Sequence, residues 1–256
     1  MKANDGAEAA KRRAGESAAD RVHDGEVVGL GTGSTAAHAI RALGRAVDSG
    51  LDIRGVPTSH QSRALAREAG IPLTTLEEAT PDVAIDGADQ AMPLGAVDGS
   101  SEADDEADTA DDAAAAFEDP DGTVLVKGGG AAHAREKIVD AAADRLLVVV
   151  DGSKLAASLD HPVPVEVLPD ATPTVHERVA DRGGDPTLRA AERKDGPVVT
   201  DNGNLVLDCA FGAIGDAPAL ARQLDGIPGV VAHGLFVDLA AELHVGESAD
   251  VTVHEF

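Results

Sequence analysis

The residues best suited to chemistry lie in a glycine-rich segment in the middle of the chain, residues 127–137, which reads KGGGAAHAREK. Lys127 follows an apolar run, and Glu136 lies in the helix-forming part after three successive glycines. A glycine inside a helix or strand costs about 0.5–1 kcal/mol relative to alanine, so the three favour a loop whose N–H groups approach a ligand. The flanking lysine and glutamate could polarise a substrate oxygen and move a proton. Glu136 could equally be a surface charge beside Lys137.

A second glycine-rich loop, residues 29–35, follows a short apolar run and precedes a helical pattern. Ser34 stands where a dinucleotide fingerprint has its third glycine, and the lysine of a P-loop is missing. The loop still offers hydroxyls and several N–H groups at a helix N-terminus, which favours binding of one phosphate. A plain strand–helix turn is the alternative.

Two carboxylates, Asp86 and Asp89, follow the apolar run at residues 82–85. Such a pair can bind a metal, act as acid and base, or bond sugar hydroxyls. The histidines show neither H-x-H nor H-E-x-x-H spacing, which disfavours a metal site. His133 lies three residues before Glu136 and could contact the site, although the sequence favours a solvent-facing position.

Strand-like and helix-like runs alternate over the first 150 residues. The strand-like runs are 26–30, 52–56, 82–85, 123–126 and 145–150, and the helix-like runs are 36–47, 59–69 and 131–143. This alternation predicts βαβ units in a mostly parallel sheet, with active residues at the carboxyl ends of the strands. Later strand-like runs at 163–168, 198–200, 205–211 and 230–236, with helix-like runs at 174–182 and 217–224, predict a small α+β domain.

Residues 95–121 interrupt this pattern. From residue 98 onward the segment consists mainly of Asp, Glu, Ala and Ser with almost no large apolar side chain. We predict an acidic surface insertion, solvated rather than an Ala-rich helix, and assign it no chemistry.

The net charge of −25 arises from 46 acidic against 21 basic residues spread over the whole chain. Excess Asp, scarce Lys and abundant Ala indicate adaptation to molar salt, where the Debye length shrinks to about 3 Å. Nucleic acid is an improbable partner because phosphate contacts need a basic patch. No apolar run approaches 18 residues and residues 1–24 lack an apolar signal region, so we expect a cytoplasmic protein without a membrane partner. The lone Cys209 is predicted to be a buried structural thiol.

Eight segments in chain order resemble the motifs of ribose-5-phosphate isomerase type A. They are GTGST (31–35), PTSHQSRALA (57–66), DGAD (86–89), KGGGAAHAREK (127–137), DGSKL (151–155), PVPVEVLP (162–169), DNGN (201–204) and IPGVVAHGLF (227–236). Each motif is weak alone, but eight in register, over nearly the whole chain outside the insertion, are strong support for the resemblance.

The resemblance implies an α/β fold with a Rossmann-like, mostly parallel sheet domain (1–160 and 236–256) and a smaller α+β lid domain (161–235). It also implies interconversion of ribose 5-phosphate and ribulose 5-phosphate through a cis-enediolate, with no metal and no cofactor, in a homodimer or homotetramer.

Carried over to this sequence, the motifs imply a role for each matching residue. Glu136 would be the base, Lys127 would stabilise the developing oxyanion with the glycine amides, and Asp86 or Asp89 would assist ring opening. The substrate contacts would be Thr32, Gly33, Ser34, Thr35, Asp86, Gly87, Ala88, Asp89, Lys127, Gly128, Gly129, Gly130, Lys154 and Lys11.

One departure from the family pattern is Gln90, which stands where the family often has an acid. Two other functions occur on related folds. A sugar-phosphate deaminase or a CoA transferase would use an acid on a similar scaffold, although a CoA transferase does not fit the full set of motifs. A non-catalytic sugar-phosphate sensor should carry a DNA-binding helix-turn-helix and a basic face, and the sequence shows neither.

Overall fold

The computed structural model describes residues 2–94, 117, 122–193 and 195–256. The helices are α1 (Lys2–Ala19), α2 (Ser34–Asp48), α3 (His60–Glu68), α4 (His133–Ala142), α5 (Thr172–Ala180) and α6 (Ala217–Asp225). The strands are β1 (Val27–Leu30), β2 (Arg54–Pro57), β3 (Val83–Gly87), β4 (Gln90–Pro93), β5 (Thr123–Val126), β6 (Arg145–Asp151), β7 (Val163–Val167), β8 (Asp185–Leu188), β9 (Leu205–Ala210), β10 (Val230–His233), β11 (Leu235–Val237), β12 (Glu242–Gly246) and β13 (Val251–Glu255).

The chain divides into two compact units. The first unit comprises Met1–Ala88, Arg135–Leu155 and Leu239–Phe256, and the second comprises Asp89–Ala134 and Ala156–Asp238. Each unit is therefore assembled from segments that lie far apart in the chain. The domain boundaries expected at 160/161 and 235/236 stay a prediction.

The first unit contains a six-stranded sheet in the order β13-β12-β6-β3-β1-β2. Every neighbouring pair is parallel except β12 with β13. The central strands are buried apolar runs, as expected for a parallel sheet covered on both faces. The α/β class with a mostly parallel sheet, predicted from the alternating pattern, is therefore confirmed.

Helix α1 was not foreseen, because its sequence is polar and contains two glycines. It nevertheless buries Ala14 and Ala18 against residues of α2 such as Leu43, in the apolar core of the first unit. Gly15 allows close contact with α2, since a Cβ at this position would lie 2.7 Å from the Ala39 nitrogen.

The second unit contains two antiparallel sheets, ordered β10-β7-β9-β8 and β11-β5-β4. Here two expectations were wrong. Strand β5, expected in the parallel sheet, pairs antiparallel with β4 and β11. The run 230–236 is two strands in different sheets, separated at Gly234. A Cβ on Gly234 would lie 2.2 Å from the Lys127 carbonyl oxygen, so only glycine fits where the backbone passes between the sheets.

Two further side chains bear on the sequence predictions. Cys209 is fully buried in the core of the second unit, as predicted. Burial, with a smaller effect from the neighbouring Asp208 charge, raises the pKa of its thiol to about 12, so the thiol stays protonated at neutral pH. Phe117 is only 1% exposed and gives the acidic insertion one buried apolar residue. The rest of residues 95–121 lies outside the described residues.

Among the described helices, none is long and apolar enough to cross a membrane.

Candidate active site

The carboxyl ends of four parallel strands lie at one edge of the sheet in the first unit. Strand β1 leads into the GTGST loop, β2 into Thr58 and Ser59, β3 ends at Gly87 within DGAD, and β6 leads into the short helix Gly152–Lys154. Ligands of open α/β sheets bind outside this edge. The fold therefore brings together the sequence-predicted residues of the first unit that follow these strands.

Asp86 fixes the shape of the GTGST loop. Its Oδ1 accepts hydrogen bonds from the Thr32 N–H at 3.0 Å and from the Gly87 N–H at 2.7 Å. The side chain is fully buried. Glycine is required at position 31, where the loop backbone passes over the Asp86 carboxylate, because a Cβ there would lie 2.2 Å from Asp86 Oδ1. The buried carboxylate thus holds the loop from beneath through backbone groups.

The hydroxyl of Thr32 ties the loop to the end of β2. It lies 2.8 Å from the Thr58 hydroxyl oxygen and donates to Ser59 Oγ at 2.7 Å. Ser59 also caps α3 in a reciprocal pair with Ser62. Thr58 and Ser59 contact the GTGST loop although they were absent from the predicted set. Their position directly after a strand was the signal that could have identified them.

Helix α2 begins immediately after this loop. Gly33 is its N-cap residue, with φ 109°, and makes no side-chain capping bond. Ser34 is exposed and Thr35 half-buried. The first N–H groups of a helix without a side-chain cap are suited to an anion, which the positive end of the helix dipole also favours.

We expect Gly31→Ala to raise KM for a phosphorylated substrate by about tenfold or more, corresponding to the roughly 1.4 kcal/mol that displacing the loop from Asp86 should cost. The added methyl cannot be accommodated at 2.2 Å from Asp86 Oδ1 without moving the loop. Steady-state kinetics would measure the effect. Gly6→Ala is the matched control, because a Cβ at Gly6 meets nothing within 4 Å. Equal KM values for Gly31→Ala and the wild type would contradict the loop's role.

Lys11 lies on α1 close to the same edge. Gly246 ends β12, and a Cβ there would lie 2.0 Å from the Ala10 carbonyl oxygen. One turn later, Gly15 contacts the first half of α2 near Ala39. These two close contacts place Lys11 between the carboxyl end of β12 and α2, the helix that starts at the GTGST loop.

Lys154 ends the short 3-10 helix Gly152–Lys154, directly after β6. Asp151 caps this turn by accepting a hydrogen bond from the Ser153 N–H at 3.1 Å. Strands β3 and β6 are parallel neighbours with Asp86 opposite Val148. Lys154 is therefore presented at the edge that carries Asp86.

Glu136 lies in the first turn of α4 and is only 4% exposed. One turn later, Val139 packs with Val27 and Val56 of the sheet. Gly29 permits this packing, since a Cβ there would lie 2.8 Å from Val139 Cγ1. The surface-charge alternative for Glu136 is therefore wrong, because the helix turns this carboxylate inward.

In the second unit, Lys127 follows the last residue of β5 and is only 2% exposed. Its Nζ lies 5.1 Å from the centroid of the Phe236 ring, within cation–π range. Its backbone N–H donates to the Gly234 carbonyl at 2.8 Å. A buried ammonium group beside an aromatic ring is well suited to stabilise negative charge on a substrate oxygen.

The three glycines after Lys127 form a tight turn. Gly128 has φ 108°, and a Cβ there would lie 2.7 Å from His133 Nδ1. His133 is fully buried. The expectation of a solvent-facing histidine was wrong, because its ring occupies the space beside Gly128. Gly130 is exposed.

Asp89 is bonded to the end of β5 through its main chain and to this turn through its side chain. Its N–H donates to the Val126 carbonyl at 2.8 Å, and its Oδ2 accepts from the Gly129 N–H at 2.8 Å. A Cβ on Gly129 would lie 2.7 Å from Asp89 Oδ1, so glycine is needed here as well. Asp89 is partly exposed, unlike the fully buried Asp86, and Ala88 between them is also partly exposed.

Gln90 has a role that an acid could not fill unchanged. Its Nε2 donates to Asp160 Oδ1 at 2.8 Å, while its Oε1 accepts from the N–H groups of Asp160 and His161 at 3.0 Å each. A carboxylate would accept from the two N–H groups but would repel Asp160.

Over the described ranges, no cluster of three or more His, Cys, Asp or Glu side chains is arranged to hold a metal ion. What the described residues do provide is a helix start suited to phosphate, an inward-facing carboxylate and a buried lysine. Each of these groups is typical of an enzyme that performs acid–base chemistry on a small phosphorylated substrate.

Comparison with known proteins identifies the family. The family model described as ribose 5-phosphate isomerase A (phosphoriboisomerase A) matches residues 54–103 and 91–250. Ribose-5-phosphate isomerase A of Natronomonas pharaonis is 63% identical over 253 residues, covering 99% of this chain and all of the relative. The protein of the same name from Haloarcula marismortui is 59% identical over 248 residues, covering 97% and 96%. The chain belongs to the ribose 5-phosphate isomerase A family.

Solved structures agree with this assignment. Ribose 5-phosphate isomerase A of Methanocaldococcus jannaschii superposes with a TM-score of 0.83 at 38% identity, covering 96% of this chain and 98% of that one. A D-ribose-5-phosphate isomerase in complex with phospho-erythronic acid gives a TM-score of 0.82 at 37% identity, with the same coverage. The fold and the enzyme class expected from the motifs are both confirmed.

Proposed function

We propose that this chain interconverts D-ribose 5-phosphate and D-ribulose 5-phosphate through a cis-enediolate, using neither metal nor cofactor. The observation that carries the proposal is the burial of Glu136 and Lys127, two charged side chains of one family motif that are 4% and 2% exposed. Burial removes these side chains from water, which strengthens their electrostatic interaction with a bound substrate. Membership of the isomerase family and the likeness to an isomerase bound to phospho-erythronic acid support the same reaction.

The phosphate is assigned to the loop at the start of α2. Thr32 anchors the loop to Asp86 and Ser59. Gly33, Ser34 and Thr35 offer N–H groups and hydroxyls, and Lys11 and Lys154 supply positive charge at the same sheet edge. Local cations matter in this chain, because its net charge of −25 repels an anionic substrate at long range. Molar salt screens that repulsion beyond about 3 Å, which leaves recognition to direct contacts.

Proton transfer is assigned to Glu136. An aldose becomes a ketose when a proton moves from C2 to C1 and another moves between the two oxygens. A single carboxylate above the C1–C2 plane can perform both carbon transfers. The inward orientation of Glu136 excludes most water from such a base.

Stabilisation of the enediolate is assigned to Lys127 and the amides of Gly128 and Gly130, while the Gly129 amide donates to Asp89 Oδ2. Fixed N–H donors and a buried ammonium act where negative charge develops. Ring opening is assigned to Asp89 rather than Asp86. Asp89 is the partly exposed member of the pair, whereas Asp86 is fully buried and bonded to the loop backbone.

We further propose that the protein works in the cytoplasm, within the pentose phosphate pathway, as a homodimer or homotetramer without a nucleic-acid or membrane partner. The excess of acidic over basic residues along the whole chain and the assembly implied by the family motifs support this proposal.

The reaction is tested with purified protein in molar KCl, given ribose 5-phosphate in deuterated water with chelator and no added cofactor. We expect ribulose 5-phosphate as product, with deuterium at carbon because the base exchanges its proton with solvent. Ammonia released from an amino-sugar phosphate would indicate a deaminase, and binding without turnover would indicate a sensor. Lack of ketose from folded protein would overturn the proposal. A parallel assay without chelator is the control. Ketose formed there but not in the presence of chelator would restore the metal interpretation of Asp86 and Asp89.

A further inference from the structure

Arg189 is not among the predicted site residues, yet it contacts the glycine turn that follows Lys127. It follows β8 in the second unit, and its side chain is only 16% exposed. Its Nη1 donates to the carbonyl oxygen of Gly128 at 2.9 Å and to that of Gly129 at 3.2 Å. One guanidinium nitrogen therefore holds two successive peptide groups of the glycine turn.

The contacts of Arg189 determine the direction of the Gly129 and Gly130 N–H groups, because a peptide bond is planar. In a planar trans peptide, the C=O of one residue and the N–H of the next point in opposite directions. Arg189 holds the Gly128 and Gly129 carbonyls from one side, so the N–H groups of Gly129 and Gly130 must point to the other side. The Gly129 N–H does so, since it donates to Asp89 Oδ2 at 2.8 Å.

Glycine peptides need such an external constraint more than others do. Gly128, Gly129 and Gly130 carry no side chain to restrict φ and ψ, so the turn loses its orientation unless a neighbour imposes one. An oxyanion site works only if its donors are fixed before the charge develops.

Asp208 fixes Arg189 in turn. The Arg189 Nε donates to Asp208 Oδ2 at 2.8 Å, and Nη2 donates to Asp208 Oδ1. Asp208 is anchored in β9, paired with Thr187 of β8 and Pro164 of β7. This two-bond pairing leaves Nη1 for the glycine carbonyls. Lysine cannot reproduce it, because an ammonium group lacks the planar fork of donors.

We propose that Arg189, held by Asp208, is a positioning residue that keeps the Gly129 amide on Asp89 and orients the Gly130 amide toward the reacting end of the substrate. The proposal rests on the isomerase function above, in which Asp89 assists ring opening and the Gly130 amide stabilises the enediolate. Arg189 acts through the glycine turn and has no direct role in proton transfer.

The test compares Arg189→Lys with the wild type in molar KCl. Losing the orientation of one oxyanion donor typically costs about 10²–10³-fold in rate, so we expect a loss of kcat of about 10²-fold with KM changed less than about threefold. Affinity for phospho-erythronic acid, used as an inhibitor, should fall in parallel with kcat. Amide hydrogen exchange at residues 128–130 should become faster. A merely structural role would lower the melting temperature while leaving kcat per folded molecule and exchange in the turn unchanged.

Arg182→Lys is the matched control, because Arg182, just after α5, also donates from Nη1 to a carbonyl, that of Arg178, in a solvent-exposed hydrogen bond. This control should keep wild-type kcat. Asp208→Asn provides a second variant, for which a smaller loss of kcat is expected. The double variant should be no slower than Arg189→Lys, since both changes act on one unit.

Failure of the isomerase proposal and failure of the positioning role of Arg189 give different results. If the wild type forms no ketose, the isomerase proposal fails. If the wild type is active and folded Arg189→Lys retains its kcat and its exchange rates, the positioning role is refuted alone. If Arg189→Lys does not fold, Asp208→Asn decides, and full kcat in that variant refutes the role.

Discussion

Replacing Glu136 by glutamine is expected to lower kcat by about 10²–10⁴-fold while KM changes little. The substitution keeps the size of the side chain and removes its ability to accept a proton. A base that acts only in the transition state affects kcat, whereas the phosphate contacts that hold the substrate remain. The variant should also lose deuterium incorporation at carbon, because exchange requires the same carboxylate.

The matched control is Glu177→Gln, which makes the same chemical change at an exposed position on α5. Circular dichroism in molar KCl would establish that both variants are folded. Retention of more than roughly a tenth of wild-type kcat by Glu136→Gln, well short of the usual loss for a missing base, would show that another group takes the proton.

Much of the fold was predictable because it depends on local patterns. The apolar runs that form β1, β3, β5 and β6 were predicted within a few residues of their bounds, since buried strands form continuous apolar sequences. Which strands pair with each other was harder to predict from the sequence. Strand β5 is as apolar as β6, yet β6 joins the parallel sheet and β5 an antiparallel one. The partner of a strand depends on contacts far away in sequence, which strand composition does not encode.

The edge strands show the same limit. Strand β8 reads Asp-Pro-Thr-Leu, with only Pro186 buried, and gave no strand signal. Its position depends on pairing with β9, where Thr187 lies opposite Asp208. The short run at 198–200, expected to be a strand, makes only an isolated bridge between Val199 and Leu205.

The site residues were likewise only partly predictable from the sequence. Residues on strand ends and glycine turns could be identified because their types are unusual there: a lysine before three glycines, or two aspartates after a strand. The partners that orient them could not. Arg189 is about sixty residues from Gly128 in sequence, and neither it nor Asp208 belongs to a recognisable local motif. Asp86 was identified as a carboxylate of the site, but its bonds to the Thr32 and Gly87 N–H groups became visible only in the fold.

The acidic composition makes the structure dependent on salt for a reason that its ion pairs illustrate. Basic residues are so few that single arginines serve two carboxylates. Arg145 lies 3.4 Å from Glu26 and 3.8 Å from Glu242, and Arg21 lies 3.4 Å from Glu242 and 3.9 Å from Glu255. With 46 acidic and 21 basic residues, most carboxylates have no cation of their own. Dissolved cations must therefore screen the remaining repulsion, and the relatives from halophilic archaea fit this requirement.

We expect the protein to unfold when KCl falls from molar to about 10 millimolar and to refold when salt is restored. Over this range the Debye length grows from about 3 Å to about 30 Å, so carboxylates across the whole surface begin to repel one another. Circular dichroism during a KCl titration would record the transition. Neutralising three exposed acids together, by Asp144→Asn, Glu177→Gln and Glu192→Gln, should shift the midpoint to lower salt, because each change removes one repelling charge without removing a described ion pair. Sucrose in place of KCl should not restore the fold, since it cannot screen charge. An unchanged native signal and melting temperature at 10 millimolar KCl would instead show that the acidic surface is not a source of instability.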